Sequence, residues 1–339
     1  MMIDSVKVAI EVDWETPLYG GQVIATKFNE DGLEVREYGL LKHAPFEGSH
    51  SANLLLRCID GRVLELYGSP SKWLQGHNLW GSCDLRGLLR RCLDLLYSGP
   101  LADRPVVSDF ALSSARVSRI DINEMFELNS LDDVKLYLAV AAQRTSLSHR
   151  GKGALAEDGC TLAWGMHKGN RSLWKAKFYA KGPESRVKRK GKTSLPARLM
   201  NDPHVMAWID RQLRLEFELH GRELRRRGLD TVEDWNETRC RSVFAGLVGK
   251  FFWGDDPVTI NEKVEGVKPG VVVVYDAWLA GRDLASLYPR SSLYRHRTAC
   301  KKAFGVDILL TAPSQCSNVV ALSLKRVLEL RPAELADVY

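Results

Sequence analysis

With 339 residues, 45% hydrophobic and 27% charged, the chain can bury a sizeable core and reads as an ordinary globular protein of two domains or one elaborated domain. A net charge of +6 is too small to mark the whole chain as a nucleic-acid binder, so any such role must rest on local clusters. Seven scattered cysteines, never in a CxxC pair, argue against a disulfide framework or structural zinc and point to a reducing cytoplasm. No apolar run reaches the ~18 residues of a membrane span, and no signal-like segment opens the chain.

Residues 5–12, 22–28 and 33–40 alternate as strands, with Asp31-Gly32 in the second turn. Strands at 52–57 and 62–67 flank Asp60-Gly61, a strong hairpin signal, and set Glu65 on the face opposite Leu64 and Leu66. Residues 69–81 read as an irregular segment holding Trp73, His77-Asn78 and Trp80. Ser82 then caps a helix to Tyr97, ended by Gly99-Pro100, with Leu85, Leu88, Leu89, Cys92, Leu93 and Leu96 as its apolar stripe.

A strand at 115–122 places Arg119 and Asp121 opposite Ile120 and Ile122. Ser130 and Asp133, in capping-box-like spacing, introduce a helix to about Arg144, and a polar, basic, glycine-containing loop at 145–153 reads as mobile. Residues 161–166 and 175–181 form a hairpin through Gly169-Asn170. Next come a basic stretch at 186–192, a helix from 196 or 202 to 211, and a strand at 212–220 with the cleanest alternation in the chain. Helices at 221–226 and 231–252 close the first domain, and the Gly- and Pro-containing stretch 253–270 marks the boundary. Short helices follow at 271–279, 282–287 and 291–303. The expected fold is α+β: an antiparallel-sheet catalytic core flanked by helices over 1–252, and a smaller, mainly helical domain over 253–339.

The chemistry centres on 175–181. Period-two geometry puts Lys175, Lys177, Tyr179 and Lys181 on one face, so the tyrosine sits in a positive field that favours phenolate and attracts a phosphodiester. The alternative is an exposed edge strand with solvated lysines. Glu65, Asp121 and Glu216 each stand mid-strand on a non-core face. Brought together, with His77 adding a nitrogen, they would hold a hard divalent cation, Mg²⁺ or Mn²⁺. Each also has a purely structural use: Glu65 paired across a strand, Glu216 paired with Arg214, His77 hydrogen-bonded beside tryptophans. Arg186, Lys188, Arg189, Lys190 and Lys192 put five cations into seven residues, and with loop 145–153 they would hold a DNA backbone. Trp73, Trp80 or Trp174 could stack unpaired bases or fill the core. The helix at 291–303, with Arg295, His296, Arg297, Lys301 and Lys302, fits the second element of a helix-turn-helix or a plain helical bundle.

The segments SPSKWLQGHNLWGSCDL (69–85), VSRIDI (117–122), KFYAKGPE (177–184) and LRLEFEL (213–219) resemble those of the filamentous-phage replication initiators, the gene II-type proteins of the phage and plasmid replication family. The likeness is strong over about 45–250 and weaker at the YRHR of 294–297 and at 305–308. It implies a rolling-circle nickase of the tyrosine-dependent endonuclease superfamily, with the nucleophile and a metal site on one sheet. Carried onto this chain, Tyr179 and Lys181 match its Tyr-x-Lys motif, Asp121 its Arg-Ile-Asp and Glu216 its Arg-x-Glu. It also implies, as partners, double-stranded origin DNA, the displaced single strand, and the host's replication helicase and polymerase, all in the host bacterial cytoplasm without a membrane. The chain departs from the wider superfamily in having no His-hydrophobic-His pair, and its tyrosine lies on a strand rather than in a helical Tyr-x-x-Lys. A non-enzymatic origin- or operator-binding protein and a conjugative relaxase remain the alternatives.

Overall fold

A computed structural model describes residues 1–28, 34–48, 52–147, 150–166, 173–187, 195–253 and 266–312. Among these residues the strands are β1 (Met2–Glu11), β2 (Gln22–Phe28), β3 (Glu34–Leu41), β4 (Ala44–Glu47), β5 (Asn53–Arg57), β6 (Val63–Gly68) and β7 (Arg116–Glu127), then β8 (Thr145–Leu147), β9 (Gly151–Lys152), β10 (Ala154–Leu155), β11 (Thr161–Trp164), β12 (Trp174–Ala180), β13 (Gln212–His220) and β14 (Phe251–Trp253). The helices are α1 (Pro70–Gln75), α2 (Leu85–Tyr97), α3 (Asp109–Ser113), α4 (Leu131–Arg144), α5 (Lys181–Arg186) and α6 (Ala197–Met200), then α7 (Pro203–Asp210), α8 (Gly221–Arg227), α9 (Glu237–Val248), α10 (Pro269–Leu279), α11 (Leu284–Leu287) and α12 (Arg290–Phe304). The fold is α+β, as its strand and helix patterns predict.

Nine strands make one sheet in the order β10-β11-β12-β13-β7-β1-β6-β5-β4, every neighbour antiparallel. The long alternating runs occupy its middle. In β13 the residues Leu213, Leu215, Phe217 and Leu219 are fully buried against the helices, and α2, α4 and α9 supply the partner stripes. Phe217 meets Trp174, Phe244 and Phe251 at 5.1–6.3 Å between ring centroids, and Phe178 meets Tyr137, Trp164 and Phe251 at 5.6–5.9 Å. Each such ring removed would cost about 3–5 kcal/mol, so this layer fixes which face of β12 and β13 looks outward.

Several boundaries differ from expectation for local reasons. Residues 70–75, read as irregular, form α1: Ser69 caps it, Pro70 opens it, and Gly76 at φ +85° ends it. Asp84, not Ser82, caps α2, accepting from Gly87 N–H. Asn236 delays the start of α9 to Glu237. The loop expected at 145–153 contains β8 and β9, which join β14 in a small sheet. Lys181, expected at the end of a strand, is instead the first residue of α5. In β1 the pairing skips between Ile3 and Val6, and this bulge lets both face the core while Asp4 faces the opposite layer.

Residues 266–312 enclose a separate apolar cluster built from Val274, Tyr275, Trp278, Leu284, Leu293 and Phe304. Asp307, buried beneath it, accepts hydrogen bonds from Arg297 Nε and Nη2 at 2.7 and 2.5 Å and from the Ser146 hydroxyl of β8. The turn Asp31-Gly32, the turn Gly169-Asn170 and residues 313–339 lie outside the described residues. No helix among the described residues is long and apolar enough to cross a membrane.

Candidate active site

The outward face of β12, β13 and β7 carries a dense polar network because each strand alternates charged residues with core residues. Cross-strand register sets Tyr179 opposite Arg214, Lys177 opposite Glu216, Lys175 opposite Glu218, and Glu218 opposite Asp121. The phenol of Tyr179 donates to Glu216 Oε2 at 3.1 Å, and Lys177 Nζ lies 2.5 Å from Glu216 Oε1. Glu216 is thus held between the tyrosine and a lysine.

Tyr179 is only 6% exposed. Burial, helped by Glu216, Glu184 and Asp4, pushes its pKa well above the ordinary phenol value, with Arg214 pulling the other way. This corrects the expectation of a phenolate in a lysine field. Lys177 is neutralised by Glu216, Lys175 by Glu218 and Lys181 by Glu184, so Tyr179 rests as a neutral phenol whose proton points at a carboxylate.

Beneath the ring lies a second layer that the sequence did not reveal. Arg214, fully buried, donates Nη1 to the Asn78 carbonyl at 2.7 Å and Nη2 to Asp4 Oδ2 at 2.9 Å, and its Cζ is 5.9 Å from the Tyr179 ring centroid. Asp4 also accepts from Ser69 and Asn78, both at 2.8 Å. Burial would raise the Asp4 pKa, but Arg214, Ser69, Lys181 and Asn78 together hold it below the usual carboxylate value. Lys181, 0% exposed, donates to Glu184 at 2.7 Å and to Asn78 Oδ1 at 3.0 Å. Burial and Arg214 press its pKa down. Asn78 therefore ties α1's exit loop to the tyrosine strand, which is why Gly76 must turn the chain there. The strand expected from residue 5 begins at Met2, which puts Asp4 inside it, a position where aspartate is depleted.

Of the four residues expected to ligate metal, two come together. Asp121, buried, accepts from Arg119 Nε at 3.0 Å and Nη2 at 2.7 Å. Burial first, then crowding by Glu216 and Glu218, pushes its pKa up to about 7 despite Arg119. Glu65 shares the sheet face but stands on β6, separated from β7 by β1, and is taken by Arg57 at 2.6 Å and His43 at 3.1 Å. His77 is buried, lies 3.2 Å from Gln75 Nε2 through Nδ1, and has its ring 4.1 Å from that of Trp80. The expected four-residue shell is thus corrected: Glu65 and His77 serve other partners. Among the described residues no three His, Cys, Asp or Glu side chains gather to hold a metal.

The DNA-contact candidates separate similarly. Lys188, Arg189, Lys190 and Lys192 lie outside the described residues, while Arg186 is bidentate to Asp210, at 2.5 and 2.8 Å, linking α5 to α7. Arg295 is exposed on α12. Arg297 is buried and spent on Asp307, so it corrects the expectation of a DNA contact there. Trp73 and Trp174 are buried, which removes them as base-stacking platforms; Trp80 is half-buried.

The profile of the family described as the N-terminal part of the phage replication-associated protein of the gene II type matches residues 2–238. The chain belongs to this family. A curated relative, the replication-associated protein of the same type from Enterobacteria phage I2-2, is 29% identical over 348 residues, covering 97% of this chain and 96% of the relative. No solved structure matches. The family match spans every residue of the tyrosine network, from Asp4 on β1 to Glu218 on β13, and stops before the helices of 266–312.

Proposed function

We propose that the chain is a phage replication initiator that nicks one strand of origin DNA through a tyrosyl–DNA intermediate and later rejoins the displaced strand. The observation that carries this reading is the hydrogen bond from Tyr179 Oη to Glu216 Oε2. It supplies a nucleophile already aimed at a base.

Tyr179 Oη attacks the phosphorus as its proton passes to Glu216. The new bond joins the tyrosine to the 5′-phosphate, the bond to the 3′ oxygen breaks, and that oxygen takes up the proton Glu216 received to leave as the 3′-OH that primes a host polymerase. One phosphodiester is exchanged for another, so no nucleotide cofactor is consumed, and the reverse attack by a 3′-OH closes a circle. Lys177, 5.8 Å from the tyrosine ring, and Arg214 on its other flank offset charge as phenolate character develops. Asp4, Asn78 and Lys181 hold Arg214 and the strand end in place. Since Tyr179 is 6% exposed, the DNA must open the site, and strand binding provides the free energy for that step.

Mg²⁺ or Mn²⁺ would be held by the Asp121–Glu216 pair plus substrate phosphate, such ions accepting one or two carboxylates, and it would have to draw those carboxylates from Arg119 and Lys177. The ion would withdraw charge from the non-bridging phosphate oxygens. The partners are double-stranded origin DNA, the displaced strand, and the host helicase and polymerase, with the host cytoplasm as setting.

One observation favours a second reading, a DNA-binding protein without chemistry: a buried, neutral tyrosine is also what a structural residue would show. Labelled single-stranded origin DNA separates the two. The native chain should form a denaturation-resistant adduct, and Tyr179→Phe should bind without forming one. An undiminished adduct in that variant, or no adduct and no nicked plasmid from the native chain, rejects the nickase reading.

A further inference from the structure

The outward face of β7 and β13 holds one polar group that the network around Tyr179 leaves unused. Asn123 is 2% exposed, and its Nδ2 has no hydrogen-bond partner among the described residues. In the sheet it stands directly opposite Glu216, and one pleat away Asp121 stands opposite Glu218. Neighbouring strand backbones are about 4.8 Å apart, so Asn123 is the next residue across from the carboxylate that accepts the Tyr179 hydroxyl. The carboxylates of this face are already engaged: Glu216 by Lys177 and Tyr179, Asp121 by Arg119, Glu218 by Lys175 and Arg119. Arg214 Nε, on the residue two before Glu216 in β13, is a second buried donor without a partner among the described residues.

Burying an amide donor without a partner costs stability, and folding gains nothing in return. Such a donor, placed beside a nucleophile and its base, is satisfied when an acceptor arrives. The acceptor this reaction brings is the scissile phosphate, whose non-bridging oxygens carry the charge of the transition state. A neutral amide also suits the position. A further lysine or arginine opposite Glu216 would compete with Tyr179 for its oxygens and weaken it as a base. An amide adds a donor and no charge.

We propose that Asn123 Nδ2 donates to a non-bridging oxygen of the phosphate that Tyr179 attacks, which makes Asn123 a further catalytic residue of this site. This rests on the nickase reading. The sheet fixes the donor before substrate enters, so it stabilises the developing charge without reorganising. Asn123 and Tyr179 are both covered, and the opening that DNA binding drives exposes them together. The buried atom lacking a partner is the donor nitrogen, which suits a phosphate oxygen and not a metal ion.

The test is single-turnover adduct formation by the full chain on labelled single-stranded origin DNA. Asn123→Leu, which removes the amide at similar volume, should slow the adduct about 10²–10³-fold. Its affinity for the same DNA should stay within about twofold of native. Its urea midpoint should match or exceed native, because a partnerless buried donor is gone. Asn123→Ser, which restores a donor, should recover part of the rate, and Asn123→Ala replaces the leucine variant if that one unfolds. Once the native adduct has located the nick, sulfur in place of either non-bridging oxygen gives two diastereomers of the substrate. The native chain should be slowed more by one of them, and Asn123→Leu should shrink the difference. A near-native adduct rate in the folded variant, a lowered midpoint with an unchanged rate, or a loss that added Mn²⁺ restores would overturn the proposal. No adduct from the native chain rejects the nickase reading and this proposal with it. An adduct lost in Tyr179→Phe but kept in Asn123→Leu rejects this proposal alone.

Discussion

Tyr179 and Glu216 stand on neighbouring antiparallel strands, and the phenol of one donates to the carboxylate of the other at 3.1 Å. If Glu216 is the proton acceptor, Glu216→Gln keeps the shape and loses the base. The expected outcome is a fall of about 10²–10⁴-fold in the rate of adduct formation, with binding of the same oligonucleotide retained. A native single-turnover rate in that variant would move the base elsewhere.

Arg214 should act on rate more than on binding. Replacing it by Met leaves the phenol without the cation 5.9 Å from its ring, and adduct formation should drop by about 10²-fold or more. Because Arg214 is fully buried against Asp4, circular dichroism must first show the variant folded; Arg214→Lys, which keeps the charge, should recover part of the rate. Equal losses in the Met and Lys variants would assign Arg214 to packing alone.

Asp4 and Asp121 should respond to pH in opposite senses. Asp4 is held below its ordinary pKa, so its stabilisation is present at neutral pH and lost as pH falls below 3.8. Asp4→Asn should therefore cost about 3 kcal/mol at pH 7 and progressively less in acid. Asp121 has its pKa raised from 3.8 to about 7, so the folded state holds the proton more tightly and stability is lost as pH rises toward that value. Asp121→Asn, measured by urea unfolding with chelator present, should gain relative to native by roughly 2–3 kcal/mol between pH 5 and pH 8. An offset that does not change with pH would show that Asp121 is not titrating there.

Much of this was legible in the chain, and what was not has physical causes. The alternation of 212–220 and the Ser130 cap fixed their elements because both signals are local. Tyr179, Asp121 and Glu216 stand out in sequence because a charged or phenolic residue mid-strand breaks the apolar alternation. Asp4, Asn78 and Arg214 meet only in space, brought together by a bulge, a left-handed glycine and strand register, none of which spacing encodes. The charge state of the tyrosine escapes the sequence for a related reason: the lysines beside it are visible there, whereas two of the carboxylates that cancel them, Glu216 and Glu218, arrive from β13 and the third, Glu184, from the first turns of α5.

Arg297 offers a check on the C-terminal helices. If it serves Asp307 rather than DNA, Arg297→Met alone should destabilise, by less than the about 3–5 kcal/mol of a fully stranded carboxylate because Lys301 Nζ remains 2.9 Å from Asp307. Adding Asp307→Leu should return most of that loss. DNA affinity of the double variant should stay near native, and a selective loss of binding with intact stability would restore Arg297 as a contact.

Asp307 has one more implication, for anyone trimming the protein. It reaches out of the C-terminal helices to Ser146, which is fully buried, while Thr311 N–H bonds the Gln143 carbonyl at 3.2 Å. A fragment cut where the family match ends would uncover this seam and invite aggregation, so any shortened piece should keep Asp307 and Thr311.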